Sequence, residues 1–168
     1  MSSLMYEASV PVFDKMLTAL DKIIDKTVAH ADAAGINHDA YLNVRLFPDM
    51  YSFITQVQIA SDHAKGASAR LAGIEVPSFD DEETTFGELK ARIAATLAFV
   101  RGIDPSKFEG AEGRTVTLKR RSGPVTQEGG EYLFQRALPN FYFHVTTAYA
   151  LLRQNGIEIG KRDFLGTA

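Results

Sequence analysis

The apolar side chains of this chain recur every three or four residues in long stretches. That spacing places them along one face of an α-helix, with polar residues on the opposite face. In the first three stretches the apolar positions are Phe13, Met16, Leu17, Leu20, Ile23, Ile24, Val28 and Ala31; Met50, Phe53, Ile54, Val57, Ala60, Ala64 and Leu71; and Leu89, Ile93, Leu97 and Val100. The pattern predicts helices that each bury one face in a shared core.

Four helix-compatible stretches end at the same kind of signal, a glycine followed by isoleucine and a polar residue. Glycine is the usual residue where a helix ends in a left-handed turn, and an apolar residue after it commonly folds back onto the last helical turn. The signals are Gly35-Ile36-Asn37, Gly73-Ile74-Glu75, Gly102-Ile103-Asp104 and Gly156-Ile157-Glu158. Four stops predict four helices, and hence an all-α four-helix bundle.

Prolines and capping residues indicate where the helices start. Helix 1 is expected to start between Ser3 and Pro11, helix 2 around Pro48-Asp49, helix 3 at the capping box Thr85–Glu88, and helix 4 near Leu138-Pro139. The four acids at 80–83 precede helix 3, and we expect them to be solvated and to favour the positive end of that helix.

The stretch 103–130 departs from the helical pattern. Thr115–Leu118 alternates and is rich in β-formers, and Ser122-Gly123-Pro124 is a turn signal. We predict a short β-hairpin or extended insertion between helices 3 and 4, with Tyr132–Phe134 as a candidate partner. The basic run Lys119-Arg120-Arg121 is expected to be a solvated loop or hairpin tip.

Composition narrows the classes of function. The 168 residues suit one domain, residues 1–168, and the net charge of −3 gives no reason to expect nucleic acid as a partner. No apolar run is long enough to span a membrane. The absence of cysteine excludes disulfides, thiolate metal sites and a cysteine nucleophile. No signal-peptide pattern is visible at the N-terminus, so we expect a cytoplasmic location.

Two histidines stand in equivalent places on helices 2 and 4. At about 100° per residue, His63 lies about 120° and His144 about 100° from the centre of its apolar stripe, on the same flank. Their neighbours are small, and Gln56 and Asn140 lie on the same helices. Space combined with polar groups is how bundle interiors hold metals or ligands. His63 and His144 are therefore candidate metal ligands, and Gln56 and Asn140 candidate ligand-binding residues.

The same histidines also fit a structural role. A histidine at the edge of an apolar stripe is more often hydrogen-bonded than bound to a metal, and catalytic zinc normally takes three ligands from the protein. Neither helix carries His-x-x-x-His, because the fourth residue after His63 is Ala67 and the fourth after His144 is Ala148. No nucleophile-elbow or phosphate-loop motif is present, so the sequence assigns no catalytic residue.

Three segments carry a resemblance to a known family. They are Gln56–Lys65, Leu138–Arg153 and the tail Gly160–Gly166. On these segments the chain resembles an uncharacterised bacterial family within the DinB/YfiT-like superfamily of metalloenzymes. The resemblance spans nearly the whole chain, and the helix 4 segment is specific.

The resemblance implies a DinB/YfiT-like four-helix bundle, often a homodimer. Superfamily members typically bind one divalent metal, commonly zinc or nickel, through one histidine on helix 2 and a His-x-x-x-His pair on helix 4. By position, His63 matches the helix 2 ligand and His144 the first helix 4 ligand, whereas Ala148 stands in place of the third histidine. Known activities include thiol-dependent transferases and isomerases, and hydrolases.

Two functions are compatible with these residues. The first is a divalent-metal-dependent enzyme acting on a small, thiol-linked substrate, with a third ligand supplied by Gln56, Asn140 or a loop carboxylate. The second is a non-catalytic bundle, structural or binding a small molecule, in which the histidines are hydrogen-bonded and the metal site is degenerate. The first predicts a stoichiometric metal and the second predicts none.

Overall fold

The fold is described from a computed structural model, for residues 3–119 and 123–167. Helices and strands follow one another in the order α1 Leu4–Glu7, α2 Val10–Ala34, α3 Asp39–Leu42, α4 Phe53–Ala72, α5 Phe86–Arg101, β1 Thr115–Leu118, β2 Val125–Glu128, α6 Gly129–Tyr132, α7 Leu138–Gln154 and α8 Lys161–Phe164. Two short 3₁₀ turns, Pro105–Phe108 and Ala111–Gly113, lie between α5 and β1. A π-helical turn, Leu133–Ala137, joins α6 to α7.

The predicted helix stops are confirmed at all four glycines, and three of these glycines are left-handed. Gly35, Gly73 and Gly156 have positive φ angles of 64°, 67° and 91°. In each case the following isoleucine N–H donates to a carbonyl five residues earlier, which closes the last helical turn. Gly102 is the exception, since its φ is −77° and α5 ends without a left-handed residue.

One of the predicted helix starts is wrong. The second long helix, α4, begins at Phe53 and not at Pro48-Asp49, because Ser52 is extended and lies at its N-cap. The predicted start of the fourth long helix is confirmed, since α7 begins at Leu138 with Pro139 in its first turn. The capping box of α5 is confirmed: Glu88 N donates to Thr85 Oγ1 at 3.2 Å, and Thr85 N donates to Glu88 Oε2 at 3.0 Å.

Pro139 is accommodated in the first turn of α7 although α6 and the π turn lead directly into that helix. Proline lacks an N–H and clashes with the carbonyl four residues earlier, so it disrupts a regular helix interior. Here the π turn Leu133–Ala137 immediately precedes α7, and such a turn changes the backbone register locally. The segment from Gly129 to Gln154 thus runs as one helical rod with a π bulge.

The predicted β-hairpin is present, with a different partner strand. β1 pairs antiparallel with β2, Thr115 opposite Glu128 and Leu118 opposite Val125. The proposed partner Tyr132–Phe134 is helical instead, because the chain enters α6 directly after β2. Lys119 is exposed at the end of β1, and Arg120 and Arg121 lie outside the described residues.

The four long helices surround one core in a non-sequential order. α4 packs against both α5 and α7, and α2 packs against the other sides of α5 and α7. The core contains most of the predicted stripes, with Phe13, Phe53 and Phe141 fully buried. Met50 is outside the core, because it precedes the start of α4. Among the described residues, no helix is both long and apolar enough to cross a membrane. His63 on α4 and His144 on α7 lie on directly adjacent helices.

Candidate functional site

His63 and His144 meet at the interface of α4 and α7. Their rings are stacked, with centroids 5.8 Å apart and an angle of 17° between the planes. His144 is buried and 8% exposed, whereas His63 is partly exposed. The edge of the His144 ring also contacts Phe143, with centroids 5.2 Å apart. The two helices thus bring together the histidines that the sequence places on equivalent flanks.

Burial keeps both imidazoles neutral near pH 7. Burial, the neighbouring His144 and the charge of Arg70 lower the pKa of His63 to about 4, and the negative charge of Asp62 only partly offsets them. Burial also lowers the pKa of His144. A neutral imidazole has one N–H donor and one free lone pair, so it can hydrogen-bond or bind a metal.

Gln56 is hydrogen-bonded to one ring nitrogen of His144. Its Oε1 lies 2.6 Å from His144 Nδ1, and its Nε2 donates to the carbonyl of Tyr51 at 3.3 Å. Because the amide oxygen is an acceptor, this contact places the His144 proton on Nδ1. Gln56 therefore orients the His144 ring. It can reach that ring because it lies on the same face of α4 as His63, seven residues earlier.

Asn140 lies away from the histidine pair. Its side chain is exposed and donates to the carbonyl of Arg136 at 2.7 Å. Ala148, at the position of the missing third histidine, is fully buried in the core. Of the candidate residues, the structure brings together His63, His144 and Gln56, and leaves Asn140 on the surface.

The described residues do not complete a metal centre. Among them, no group of three histidine, aspartate or glutamate side chains is placed to hold an ion. Asp62, next to His63, already binds Arg92 at 2.8 Å and Lys65 at 2.9 Å through Oδ1. Catalytic zinc normally has three protein ligands. The two imidazoles and the Gln56 amide therefore do not fit the three-histidine centre that the superfamily implies.

A cavity of about 220 Å³ opens beside His63. It lies between α4, the end of the hairpin, α6 and the π turn. Its walls are formed by Asp62, His63, Arg70, Leu118, Lys119, Tyr132 and Arg136. Arg70 donates to the hydroxyl of buried Tyr132 at 3.3 Å. The cavity therefore combines one neutral histidine, a buried phenol and three cationic side chains.

On the opposite flank of α4, carboxylates surround a buried arginine. The Arg92 side chain is 1% exposed and forms ion pairs with Asp62, Asp81 and Glu83 at 2.8–2.9 Å. Gln58 also donates to Glu83 at 2.8 Å. The acids at 80–83 are thus not all solvated: Asp81 and Glu83 bind Arg92, and Glu83 is 11% exposed. This cluster fastens the 74–85 loop onto α4 and α5.

Four residues of the cavity were missed as site residues by the sequence patterns. Arg70 carried a usable signal, because it follows His63 by seven residues and so lies on the same face of α4. Tyr132 and Arg136 carried none, since Tyr132 was interpreted as part of a strand and Arg136 as part of the connection before helix 4. Lys119 was noted only as part of a basic run.

Comparison with known proteins supports this architecture. Residues 5–165 match the family model described as a domain of unknown function, DUF1993. A crystal structure of a DinB family member protein from Shewanella denitrificans superposes with a TM-score of 0.92 at 42% sequence identity, covering 98% of this chain and 93% of that one. No protein with a curated description matches the chain.

These matches extend over almost the whole chain and agree with the helical bundle and its small hairpin. The chain therefore belongs to the DUF1993 family, an uncharacterised family of DinB-like proteins.

Proposed function

We propose that this DinB-like protein binds a small polar molecule in the cavity beside His63, and that His63 acts there as a neutral hydrogen-bonding group with His144 stacked against it. The observation that carries the proposal is the donor set. Two imidazoles meet, Gln56 occupies one nitrogen of His144, and the described residues offer no third ligand. Such a set orients a ligand by hydrogen bonds and leaves a divalent ion under-coordinated.

The walls of the cavity support a binding role. Ligand sites combine an enclosed volume with a few convergent polar groups. Here the hydroxyl of Tyr132, the ring of His63 and the guanidinium of Arg70 come from two separate segments and converge on one space.

One observation favours the alternative, a zinc- or nickel-dependent enzyme acting on a small, thiol-linked substrate. His63 and His144 come from adjacent helices, touch each other and are both held neutral, which is the form that binds metal ions. This alternative requires a third ligand from outside the histidine pair.

Elemental analysis of protein purified without a metal-affinity tag separates the two functions. We expect far less than one zinc or nickel per chain, and no shift of melting temperature on adding either ion or phenanthroline. About one ion per chain, lost in a His63→Ala, His144→Ala double variant but kept in His38→Ala, would overturn the proposal. His38 is a suitable control because it lies outside the histidine pair and its Nε2 is already hydrogen-bonded to Asp32.

The binding role itself is tested with a small-molecule set that contains neutral, cationic and anionic compounds. Backbone NMR shifts of Tyr132 and His63 report on occupancy of the cavity. We expect at least one class of compound to shift both residues in a saturable way. If no class does so, the cavity is not a binding site and the histidines are structural.

We also propose that the protein is a homodimer, because apolar side chains form an exposed patch on and beside α7. Phe143 is 55% and Tyr142 39% exposed, and with Leu46 they line an apolar groove of about 440 Å³. Phe47 and Tyr51 are also exposed. Exposed apolar patches of this kind are typical of interfaces.

Light scattering tests the homodimer. It should give twice the chain mass for the wild-type protein, and Phe143→Glu should yield a folded monomer. A wild-type monomer would contradict the proposal.

A further inference from the structure

The three cations around the cavity lack acidic partners. Within the part of the chain that the structure describes, no carboxylate lies within ion-pair distance of Arg70, Lys119 or Arg136. Asp62, the carboxylate on the cavity wall, is already paired with Arg92 and Lys65. The cavity therefore carries an excess of positive charge that the described protein residues do not balance.

These cations are positioned by the fold. The Arg70 guanidinium folds back along α4 over Gly66, and a Cβ at Gly66 would lie 2.5 Å from Arg70 Nη1. The absence of a side chain at this position thus makes room for the guanidinium. Tyr132 and Arg136 lie one turn apart across the π bulge, and both line the same cavity.

The hydroxyl of Tyr132 adds a neutral donor. Its oxygen accepts from Arg70, and in the described residues its own proton has no acceptor. Tyr132 is 3% exposed, so bulk water contacts little of the side chain. A buried O–H beside a guanidinium is complementary to an oxygen atom that carries negative charge.

We propose that this cavity binds a small dianion, through the guanidinium groups of Arg70 and Arg136, the ammonium of Lys119 and the hydroxyl of Tyr132. The inference rests on the proposed function, because it names the ligand class of the same cavity. Carboxylate and phosphate groups share the required chemistry, since each presents paired oxygens to a guanidinium. A volume of about 220 Å³ suits a molecule of few atoms and not a polymer.

The test is titration calorimetry with two probes, inorganic phosphate and succinate, at constant ionic strength. The protein is first passed over a chelating resin, and chloride is the background anion, so that neither metal nor buffer competes. We expect saturable binding of at least one probe. Preference for phosphate would indicate a phosphorylated ligand, and preference for succinate a dicarboxylate.

Variants identify the site. Arg136→Gln is expected to raise the Kd by about tenfold or more, since a charge-assisted hydrogen bond is lost. Arg153→Gln removes the same charge from an exposed position on α7 and should leave the Kd nearly unchanged. Urea unfolding of both variants checks that they fold; if Arg136→Gln does not, Lys119→Gln, at an exposed position, takes its place.

Two results would overturn the inference. One is the absence of saturable binding of either probe to the wild-type protein. The other is equal weakening in Arg136→Gln and Arg153→Gln, which would show attraction to overall charge alone. If only neutral or cationic compounds shift Tyr132 and His63, the dianion is wrong while the binding role stands. A stoichiometric metal would instead defeat the binding role, and would leave the anion result on resin-treated protein intact.

Discussion

The buried Arg92 and the two cavity arginines, Arg70 and Arg136, lie beside α4 in opposite electrostatic surroundings. On one flank, Arg92 is buried against three carboxylates. On the other, Arg70 and Arg136 face a cavity where no acidic partner balances them in the described residues. Asp62 and His63, adjacent in sequence, stand between the two groups, and the carboxylate of Asp62 serves the first.

This difference indicates that arginine has a structural role in the Arg92 cluster and a binding role in the cavity. A buried guanidinium needs its hydrogen-bonding partners within the protein, because desolvation is costly. Burial alone would lower the pKa of Arg92, yet the hydrogen bond to Glu83 and the surrounding carboxylates raise it above its ordinary value. Partly exposed arginines without acidic partners can be solvated by water, and a ligand can replace that water.

The largest expected effect is loss of stability when the Arg92 cluster is broken. Arg92→Met should lower the free energy of unfolding by about 3–5 kcal/mol, because the largely buried carboxylate of Glu83 loses its ion-pair partner. Arg92→Lys should recover only part of the loss, since an ammonium lacks the planar fork that reaches several carboxylates. Urea unfolding measures both.

The matched change on the other flank sharpens the comparison. Arg70→Gln should alter the free energy of unfolding by less than about 1 kcal/mol, since Arg70 donates one hydrogen bond and has no ion pair among the described residues. A loss as large as that of Arg92→Met would show that the cavity arginines are structural too.

The second effect is a loss of about 3 kcal/mol in the free energy of unfolding when the solution is acidified. His63 has a pKa of about 4 when folded and an ordinary value of 6.5 when unfolded. Between these values the unfolded chain binds a proton that the native protein does not, so stability falls as the pH drops from about 6.5 to 4. Urea unfolding across this range measures the slope.

A His63→Gln variant is the control for that slope. It should reduce the dependence between pH 6.5 and 4, leaving the part that comes from His144, whose pKa burial also lowers, and it should keep the further loss at lower pH. That further loss arises where Glu83, whose pKa is lowered by hydrogen bonds from Gln58 and Arg92 despite its burial, takes up a proton. An unchanged slope in the variant would mean that His63 is accessible and not held neutral.

The smallest effect is expected at Gly66. Gly66→Ala should be neutral or stabilise the protein by up to about 1 kcal/mol, because alanine favours the helix and the clashing atom is the flexible end of Arg70. The same change should displace the guanidinium and weaken phosphate or succinate binding. Thermal unfolding and calorimetry on one sample test both; unchanged binding would mean that Arg70 does not contact the ligand.

Much of the fold was predictable because its signals are local. The glycine stops at 35, 73 and 156 and the capping box at Thr85 act within one helical turn, and the structure has them as predicted. The start of α7 was also predictable, because Pro139 is a permitted first-turn residue. That α6 and a π turn lead directly into α7 depends on a local change of helical geometry that the sequence pattern does not reveal.

The candidate site divides in the same way. Helical periodicity placed His63 and His144 on equivalent flanks, and in the structure their rings stack. It did not find Tyr132 or Arg136, whose cavity neighbours on α4 are more than 50 residues away along the chain. Nor did it find the partners of Arg92, because the acids at 80–83 looked like a solvated lead-in.

The sequence by itself thus determined where the four long helices end and which faces they bury, since backbone conformation and apolar spacing act over a few residues. The tertiary structure alone decided the helix order, the pairing of Asp62 with Arg92 and the unbalanced charge beside His63. Those features depend on which side chains packing brings together, and ion pairing is decided by distances of a few ångströms between distant parts of the chain.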